Sequence, residues 1–273
     1  MTVVISGANK GLGFQAARLL AKNNYPGKIV VTSRKQDLGQ IATSKLKNEF
    51  RKSNFVYQPL DINCSKSRTN FIDFTKSELG EINVLINNAG VLIEPSKLSE
   101  NPGSKASFSK IAAETLETNY FNTKAFTEEI LPHVSDRVVT ASGIVTSYVF
   151  KQLHKSVQEN LQKCSSAELT SMAEEFLTLT KEDKHKEKYG YTAYGLSLVL
   201  KRTLTEILAR DHPDKQFYSY CPGWCKTDMT GYNKPTKSAE EGADMIWWLA
   251  TEEKENLVNG GFYFDNRKHK RRW

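Results

Sequence analysis

Long hydrophobic runs are absent from this sequence of 273 residues. No window approaches the ~20 consecutive apolar residues that a membrane-spanning helix needs. Met1 leads directly into the short apolar segment Val3–Ile5 and then into glycines, which differs from the pattern of a signal peptide. Hydrophobic residues make up 39% of the chain and charged residues 25%, a balance typical of a globular protein. We therefore expect a folded protein without a membrane partner.

Cysteine is scarce as well, with four residues that form no Cys-x-x-Cys pair and no Cys/His ladder. The closest pair, Cys221 and Cys225, encloses Pro-Gly-Trp, which predicts a turn. A metal site or a disulfide there is the alternative, but scattered thiols in a large chain fit a reducing compartment better. We expect reduced thiols, no metal site and a cytoplasmic location.

Charge of one sign is in small excess. Lys and Arg number 38 against 31 Asp and Glu, which gives a formal net charge of +7. Five of the positive charges lie within residues 267–272, inside a basic C-terminal tail that covers residues 266–273. The rest of the chain is close to neutral, so nucleic acid is not an expected partner. The tail itself is either a frayed, solvated end or a partner-binding element.

Short apolar runs alternate with longer segments of helical periodicity, a pattern typical of an α/β protein with a parallel sheet. The predicted strands are Val3–Ser6, Ile29–Val31, Phe55–Tyr57, Ile82–Ile86, Arg137–Thr140, Phe217–Tyr220 and Gly261–Phe264. The predicted helices are Leu12–Asn23, Asp37–Arg51, Ser67–Leu79, Leu116–Leu131, Tyr191–Arg210 and Ala239–Ala250. Residues 151–188 are polar, with helical periodicity and no strand pattern. We expect one domain over residues 1–273, with a helical insertion at residues 151–188.

The most specific motif is the glycine-rich segment Ser6–Gly13, which lies between the first strand and the first helix. One glycine would allow a sharp turn, one a close approach of the backbone to a pyrophosphate, and one tight helix–strand packing. The N–H groups at the helix start would then bind the anion. The candidate cofactor residues in this segment are Gly7, Asn9, Lys10, Gly11, Leu12 and Gly13. The segment predicts a dinucleotide site in a Rossmann-type, doubly wound parallel sheet.

The residues at the end of the second strand distinguish NADP from NAD as the predicted dinucleotide. An NAD site would place an acidic residue there for the ribose hydroxyls, whereas this chain has Arg34 and Lys35. A cation favours a 2′-phosphate, and Lys10 could face the same group. The alternative is that Arg34 and Lys35 are solvated surface charges. We predict NADPH as the cofactor.

Together these motifs resemble the short-chain dehydrogenase/reductase family, and most closely its monomeric, NADPH-dependent carbonyl reductases. The segments that carry the resemblance are Ser6–Gly13, Val31–Arg34, Leu60–Ile62, Asn87–Gly90, Thr118–Phe121, Ala193–Gly195, Cys221–Met229 and Thr236–Ala243. The long insertion before Tyr194 is also similar to that subgroup. The resemblance implies a monomer that transfers a hydride from NADPH to small-molecule ketones, aldehydes or quinones.

The resemblance also implies roles for individual residues. The cofactor contacts that it implies are Asp61 and Ile62 for the adenine, Asn88 for the adenosine ribose, and Cys225, Lys226 and Thr227 for the nicotinamide side. Trp224 would form a wall of the substrate pocket. Tyr194 would donate the proton to the carbonyl oxygen, and Asn119 would hold a water of a proton relay.

Two of the four catalytic positions of the family are changed. Gly143 occupies the position of the serine that polarises the carbonyl, and Leu198 that of the lysine that lowers the pKa of the tyrosine. Ser142 could replace the serine if the fifth strand ended one residue later. Lys201 could replace the lysine, although it starts about a turn too far along the helix; a solvated surface lysine is the alternative. We therefore expect either a carbonyl reductase with an incomplete site or an inactive pseudoenzyme that binds NADPH and acts through a partner.

Overall fold

The computed structural model describes residues 1–93, 107–231, 235–265 and 267–270. Its strands are β1 Thr2–Ile5, β2 Lys28–Ser33, β3 Asn54–Pro59, β4 Ile82–Asn87, β5 Val134–Ala141, β6 Gln216–Tyr220, β7 Phe262–Phe264 and β8 Lys268–Lys270. They form one sheet in the order β3-β2-β1-β4-β5-β6-β7-β8. Every neighbouring pair is parallel except β7 and β8. This is the strand order of a doubly wound Rossmann sheet, so the predicted fold class is confirmed.

Helices cover both faces of the sheet. They are α1 Gly11–Lys22, α2 Gln36–Glu49, α3 Ser65–Phe74, α4 Phe108–Leu116, α5 Thr123–Ile130, α6 Val145–Gln152, α7 Lys155–Leu161, α8 Ser166–Lys181, α9 Lys186–Tyr189, α10 Ala193–Asp211 and α11 Ala239–Thr251. The predicted helix Leu116–Leu131 begins earlier, at Phe108, and passes through a π-helical turn at Glu117–Asn122. Within the described parts of the chain, no helix is both long and apolar enough to cross a membrane.

The central strands are buried on both faces because each face of the sheet carries its own hydrophobic core. Successive side chains of a strand point to opposite faces. In β1, Val4 therefore packs into one core, whereas Val3 and Ile5 pack into the other. The first core is covered by α3–α5, the insertion and α10, and the second by α1, α2 and α11. Continuous apolar runs in the sequence mark these strands because both faces need apolar residues.

The segment 151–188 folds into helices and contains no strand. Helix α8 starts with a capping box, in which Ser165 and Glu168 satisfy each other's backbone N–H groups. Its buried face carries Phe176, whose ring makes edge contacts with Phe108 and Tyr189. The insertion thereby packs onto α4 and α10, the helices that flank the predicted catalytic residues.

The basic tail is more ordered than a frayed end. Lys268–Lys270 pairs with β7 in antiparallel orientation as the edge strand β8. The Arg267 guanidinium lies 5.1 Å from the ring centroid of Trp248 and 3.7 Å from the Asp244 carboxylate. The interpretation of this tail as a frayed end is therefore wrong for residues 267–270, because strand pairing satisfies their backbone; residues 266 and 271–273 lie outside the described ranges. Lysine on an edge strand disfavours pairing with a further chain.

Candidate active site

The glycine-rich loop follows β1 at the point where the strand order reverses, with β2 on one side of β1 and β4 on the other. Gly7 and Gly11 adopt positive φ angles of +64° and +57°, a region that costs energy for residues with a Cβ atom. A Cβ atom on Gly13 would lie 2.6 Å from the Asn88 Nδ2 atom and 2.7 Å from the Gly7 carbonyl oxygen. Each of the three glycines is therefore required by the backbone conformation or by close packing.

Helix α1 begins directly after this loop and presents its positive end. Its N-cap is Lys10, which makes no side-chain capping hydrogen bond, and the first turn contains no acidic residue. A helix start of this kind attracts an anion through its N–H groups and its dipole. Leu12 lies in this first turn and Asn9 directly precedes the N-cap, so both flank the helix start. These residues fit a dinucleotide pyrophosphate.

The side chain of Asn88 supports this loop from β4. Its Nδ2 atom donates to the carbonyl oxygens of Ser6 and Gly7, at 2.9 and 3.0 Å. The Ser6 hydroxyl accepts from the backbone N–H groups of Asn88 and Ala89. In this structure the amide of Asn88 therefore fixes the shape of the loop, and its contact with a ribose remains a prediction.

The predicted phosphate cations have different surroundings. Lys10 forms an ion pair with Asp228, with Nζ and Oδ2 2.7 Å apart, which links the glycine loop to the segment after β6. Arg34 is exposed at the end of β2. Because Lys10 already has a carboxylate partner, Arg34 is the better placed residue for a 2′-phosphate. A phosphate role for Lys10 stays a prediction.

The predicted adenine contacts follow β3. The Asp61 carboxylate accepts from the backbone N–H of Asn63 at 3.0 Å. Ile62 is buried, and its carbonyl oxygen accepts from the Arg68 guanidinium at 2.8 Å. Arg68 also binds Glu129 on α5, so this turn is tied to the neighbouring helices.

The predicted nicotinamide residues lie in the segment after β6. Thr227 packs against the glycine loop, since its Cγ2 atom is 3.7 Å from the position of a Cβ atom on Gly11. The backbone N–H of Lys226 donates to the Lys237 carbonyl oxygen. Cys225 is buried beneath Gly242 of α11, and burial raises the pKa of its thiol to about 11. Thr227 therefore lies next to the glycine loop, and Cys225 packs against α11. The cofactor contacts of Cys225, Lys226 and Thr227 stay predictions.

Tyr194 and Asn119 are brought together by the start of α10. Asn119 lies in the π-helical turn, a feature often found at functional sites. Its Nδ2 atom donates to the Ser197 hydroxyl at 3.1 Å, and that hydroxyl donates to the Tyr194 carbonyl oxygen at 2.7 Å. Its amide also pairs with both backbone groups of Val91, just after β4. Asn119 is thus linked through Ser197 to the backbone of Tyr194, and the catalytic roles of both residues stay predictions.

The hydroxyl of Tyr194 lies in apolar surroundings. Burial raises its pKa to about 12, and the neighbouring Cys221 thiol acts in the same direction. A tyrosine used as a general acid and base needs the opposite shift, toward neutral pH. Among the described residues no cation offsets that effect at Tyr194, and the loss of pKa tuning stays a prediction.

The two changed catalytic positions contact each other. Leu198 is buried, and its Cδ1 atom lies 3.1 Å from the position that a Cβ atom would take on Gly143. A serine at residue 143 would therefore press against the leucine. The leucine methyl group occupies space that the serine side chain would need, so the two departures from the family pattern are physically coupled.

Ser142 is directed to another partner. Strand β5 ends at Ala141, one residue beyond the predicted end at Thr140, which is the shift that a role for Ser142 requires. The Ser142 hydroxyl, however, donates to the Leu198 carbonyl oxygen at 3.2 Å. This bond holds the strand end to α10. The geometry gives no support to Ser142 as the group that polarises a substrate carbonyl, and that role stays a prediction.

Lys201 is not a solvated surface residue. Its residue surface is 3% exposed, and burial lowers the pKa of its ammonium to about 8. The interpretation of Lys201 as a surface lysine is therefore wrong, because α10 is covered by the sheet on one side and by the insertion on the other. The sequence showed only a lysine in a mostly apolar helix.

Two residues of this site escaped the sequence reasoning, Ser197 and Cys221. Ser197 lies on α10 one turn after Tyr194, so helical periodicity could have placed it next to the tyrosine. Cys221 follows β6, and the carboxyl ends of neighbouring parallel strands meet at one edge of a sheet. Its closeness to Tyr194 depends on the strand order, which the local sequence does not contain.

Several apolar side chains near the site in sequence are exposed. They belong to the segments that follow β5, precede α10 and follow β6, and they are Ile144, Val145, Tyr148, Tyr191, Trp224 and Met229. Trp224, the predicted pocket wall, is 45% exposed. Its role as a pocket wall stays a prediction.

The fold and this site define a dinucleotide-binding protein of the Rossmann class. A family model described as short chain dehydrogenase matches residues 1–153. The chain belongs to the short-chain dehydrogenase/reductase family.

Two curated relatives and two solved structures indicate its place within that family. The chain is 33% identical to carbonyl reductase [NADPH] 1 of Mus musculus and 32% identical to carbonyl reductase [NADPH] 3 of Homo sapiens, over 90% of this chain and 89% of each relative. Salutaridine reductase from Papaver somniferum has a similar structure, with a TM-score of 0.82 at 27% identity over 97% of this chain and 99% of that one. Menthone neomenthol reductase from Mentha piperita gives a TM-score of 0.78 at 25% identity over 96% and 98%.

We expect Gly143→Ser and Gly143→Ala to lower the free energy of unfolding by about 1–3 kcal/mol, because either Cβ atom presses against Leu198. The cost should shrink in a Leu198→Ala background, where the opposing methyl groups are gone. Urea unfolding of both Gly143 variants in each background, compared with the natural chain and with Leu198→Ala, measures this coupling. Equal costs in both backgrounds would show that the two positions are independent.

We expect Lys201→Met to raise the free energy of unfolding by about 3 kcal/mol at neutral pH, since the charged ammonium is disfavoured in the folded state. The pKa of this lysine is about 8 when folded and 10.5 in its ordinary state. Unfolding therefore takes up a proton between these values, and the destabilisation by Lys201 disappears as the pH rises through that window. Urea unfolding at a neutral and at an alkaline pH measures the difference.

The control is Lys45→Met, which changes an exposed lysine of α2 and should have no comparable effect. A loss of stability in Lys201→Met that is equal at both pH values would contradict the prediction.

Proposed function

We propose that this protein is an NADPH-dependent reductase of small-molecule carbonyl compounds with an incomplete proton-transfer site. The observation that carries the proposal is the complete glycine loop at the start of α1. The bonds from Asn119 to Ser197 and from Ser197 to the Tyr194 backbone carbonyl, which hold Asn119 next to the start of α10, support it. The kinship with carbonyl reductases supports it. Ketones, aldehydes and quinones are the proposed substrate classes.

The residues of this chain would divide the chemistry between binding and proton transfer. When bound, NADPH supplies the hydride that adds to the carbonyl carbon. The N–H groups at the start of α1 hold its pyrophosphate, and Arg34 its 2′-phosphate. The Tyr194 hydroxyl gives its proton to the carbonyl oxygen, and the apolar side chains around Trp224 bind the body of the substrate and exclude water.

We also propose that the protein is a cytoplasmic monomer. All four cysteines are free thiols, which fits a reducing compartment such as the cytoplasm. The insertion covers faces of α4 and α10, which supports a monomer because a second copy would need those faces uncovered.

The contact between Leu198 and Gly143 favours a second candidate function. Leu198 and Gly143 occupy the positions for which the resemblance implies a lysine and a serine, so the cation and the hydroxyl beside the tyrosine are missing. Each such loss costs a factor of about 10² or more in rate. A protein of this kind could bind NADPH without turnover and act through a partner.

We expect Arg34→Ala to weaken NADPH binding by about 10-fold or more, with little change for NADH, because a charge-assisted hydrogen bond to the 2′-phosphate is lost. Fluorescence titration with both cofactors measures the two dissociation constants. The matched control is Arg51→Ala, an exposed arginine outside the loop. Equal losses for NADPH and NADH, or no loss at all, would favour a solvated surface charge at Arg34.

We expect the natural chain to reduce quinones or aromatic ketones slowly, and Tyr194→Phe to abolish this turnover while leaving NADPH affinity unchanged. The double variant Gly143→Ser/Leu198→Lys should increase the rate by about 10-fold or more, because it restores the hydroxyl and the cation together. Absorbance of NADPH during turnover measures the rates.

Tight NADPH binding with no turnover in the natural chain would exclude the reductase and favour the pseudoenzyme. In that case, turnover gained by the double variant would show that the scaffold is otherwise competent. Absence of NADPH binding would contradict both candidates.

A further inference from the structure

The side-chain amide of Asn119 forms hydrogen bonds at both of its ends. Its Nδ2 atom donates to the Val91 carbonyl oxygen at 2.9 Å and to the Ser197 hydroxyl at 3.1 Å, and its Oδ1 atom accepts from the Val91 N–H at 2.8 Å. Because the backbone of Val91 offers one donor and one acceptor, it fixes which end of the amide is which. The second N–H of the amide therefore points to Ser197.

The Ser197 hydroxyl is oriented by the same pairing. An amide nitrogen can only donate, so the hydroxyl oxygen accepts from Asn119, and its hydrogen is directed to the Tyr194 carbonyl oxygen, 2.7 Å away. Ser197 is completely buried, and Asn119 is 1% exposed. Loss of the hydroxyl would leave a buried amide N–H without its partner, which is costly because water cannot replace that partner.

The first turn of α10 offers Asn119 a rigid surface. The Thr192 hydroxyl caps the helix by accepting from the Gly195 N–H at 3.0 Å. A Cβ atom on Gly195 would lie only 2.6 Å from the Val149 Cγ2 atom of α6. This turn is therefore packed tightly against α6, and the bond between Asn119 and Ser197 joins the π-helical turn to it.

The π-helical turn is anchored on its other side as well. The Asn63 Nδ2 atom donates to the Thr118 hydroxyl at 2.8 Å, and the Arg68 guanidinium donates to the Asn122 Oδ1 atom at 3.1 Å. These bonds connect the π-helical turn to the segment that follows β3. Asn119 lies between the two anchors, and its own side chain makes the contact with α10.

We propose that Ser197 is a positioning residue that sets the placement of Asn119 against the first turn of α10, and so relative to Tyr194. This inference rests on the proposed reductase function, in which these two residues take part in proton transfer. A misplacement of ~1 Å in a catalytic group can lower a rate ~10²-fold. Ser197 acts through the Asn119 amide and the Tyr194 backbone.

The activity test compares Ser197→Ala with the natural chain and with Ser197→Thr. Ser197→Ala should lower kcat about 10-fold or more, and it should leave NADPH affinity unchanged because the glycine loop is untouched. Ser197→Thr keeps the hydroxyl and should retain more activity than Ser197→Ala. Absorbance of NADPH during turnover gives kcat, and fluorescence titration gives the affinity.

The matched control is Thr205→Val on the same helix. Thr205 is also buried, and its hydroxyl donates to the Lys201 carbonyl oxygen at 2.9 Å, a bond that stays within α10. Its loss should lower the urea midpoint, as in Ser197→Ala, but leave kcat unchanged. An equal loss of kcat in both variants would indicate a general loosening of α10 and would overturn the inference.

A second measurement needs no turnover. In protein labelled with ¹⁵N-asparagine, the side-chain amide signals of Asn119 are identified as those absent in Asn119→Asp. Their hydrogen exchange should be about 10-fold or more faster in Ser197→Ala, because one of the bonds that protect them is gone. Thr205→Val should leave their exchange unchanged.

Unchanged exchange at Asn119 in Ser197→Ala would overturn the inference, and so would an unchanged kcat in an active chain. If Ser197→Thr does not fold because its methyl group finds no space, the contrast of Ser197→Ala with Thr205→Val decides. If the natural chain binds NADPH without turnover, the reductase proposal fails, and the exchange rate decides whether Ser197 positions Asn119.

Discussion

Two asparagine amides, the half-buried Asn88 and the buried Asn119, hold the carboxyl edge of the sheet together, and the site depends on them. Asn88 binds the glycine loop after β1, and Asn119 joins the segment after β4 to helix α10. Buried amides need their hydrogen bonds, because an unpaired polar group in the interior costs about 1–3 kcal/mol. The glycine loop and helix α10 are therefore both tied to the segment that follows β4.

The glycine loop keeps the family pattern more closely than the surroundings of Tyr194 do. Gly7, Gly11 and Gly13 keep a loop that fits a dinucleotide. Around Tyr194, the Leu198–Gly143 contact replaces polar groups with a hydrocarbon contact, and burial raises the pKa of the tyrosine to about 12.

Much of the fold was predictable because its patterns are local. All seven predicted strands and the insertion helices occur near their predicted positions, since apolar runs and helical periodicity depend on neighbouring residues. The edge strand Lys268–Lys270 was missed because a short basic segment carries no strand pattern, and only pairing with β7 creates one. The start of the helix at Phe108 was missed for a similar reason, because the π-helical turn at Glu117–Asn122 interrupts the helical period.

By itself the sequence determined the α/β class and the glycine loop, and it predicted a phosphate role for Arg34 and the departure from the family serine and lysine. These are statements of residue type and spacing, which folding does not change. Only the tertiary structure decided that Leu198 fills the space beside Gly143, that Ser142 binds the backbone of α10, and that Lys201 is buried. Burial and contact depend on which elements pack together across long stretches of chain, so no local pattern could have revealed them.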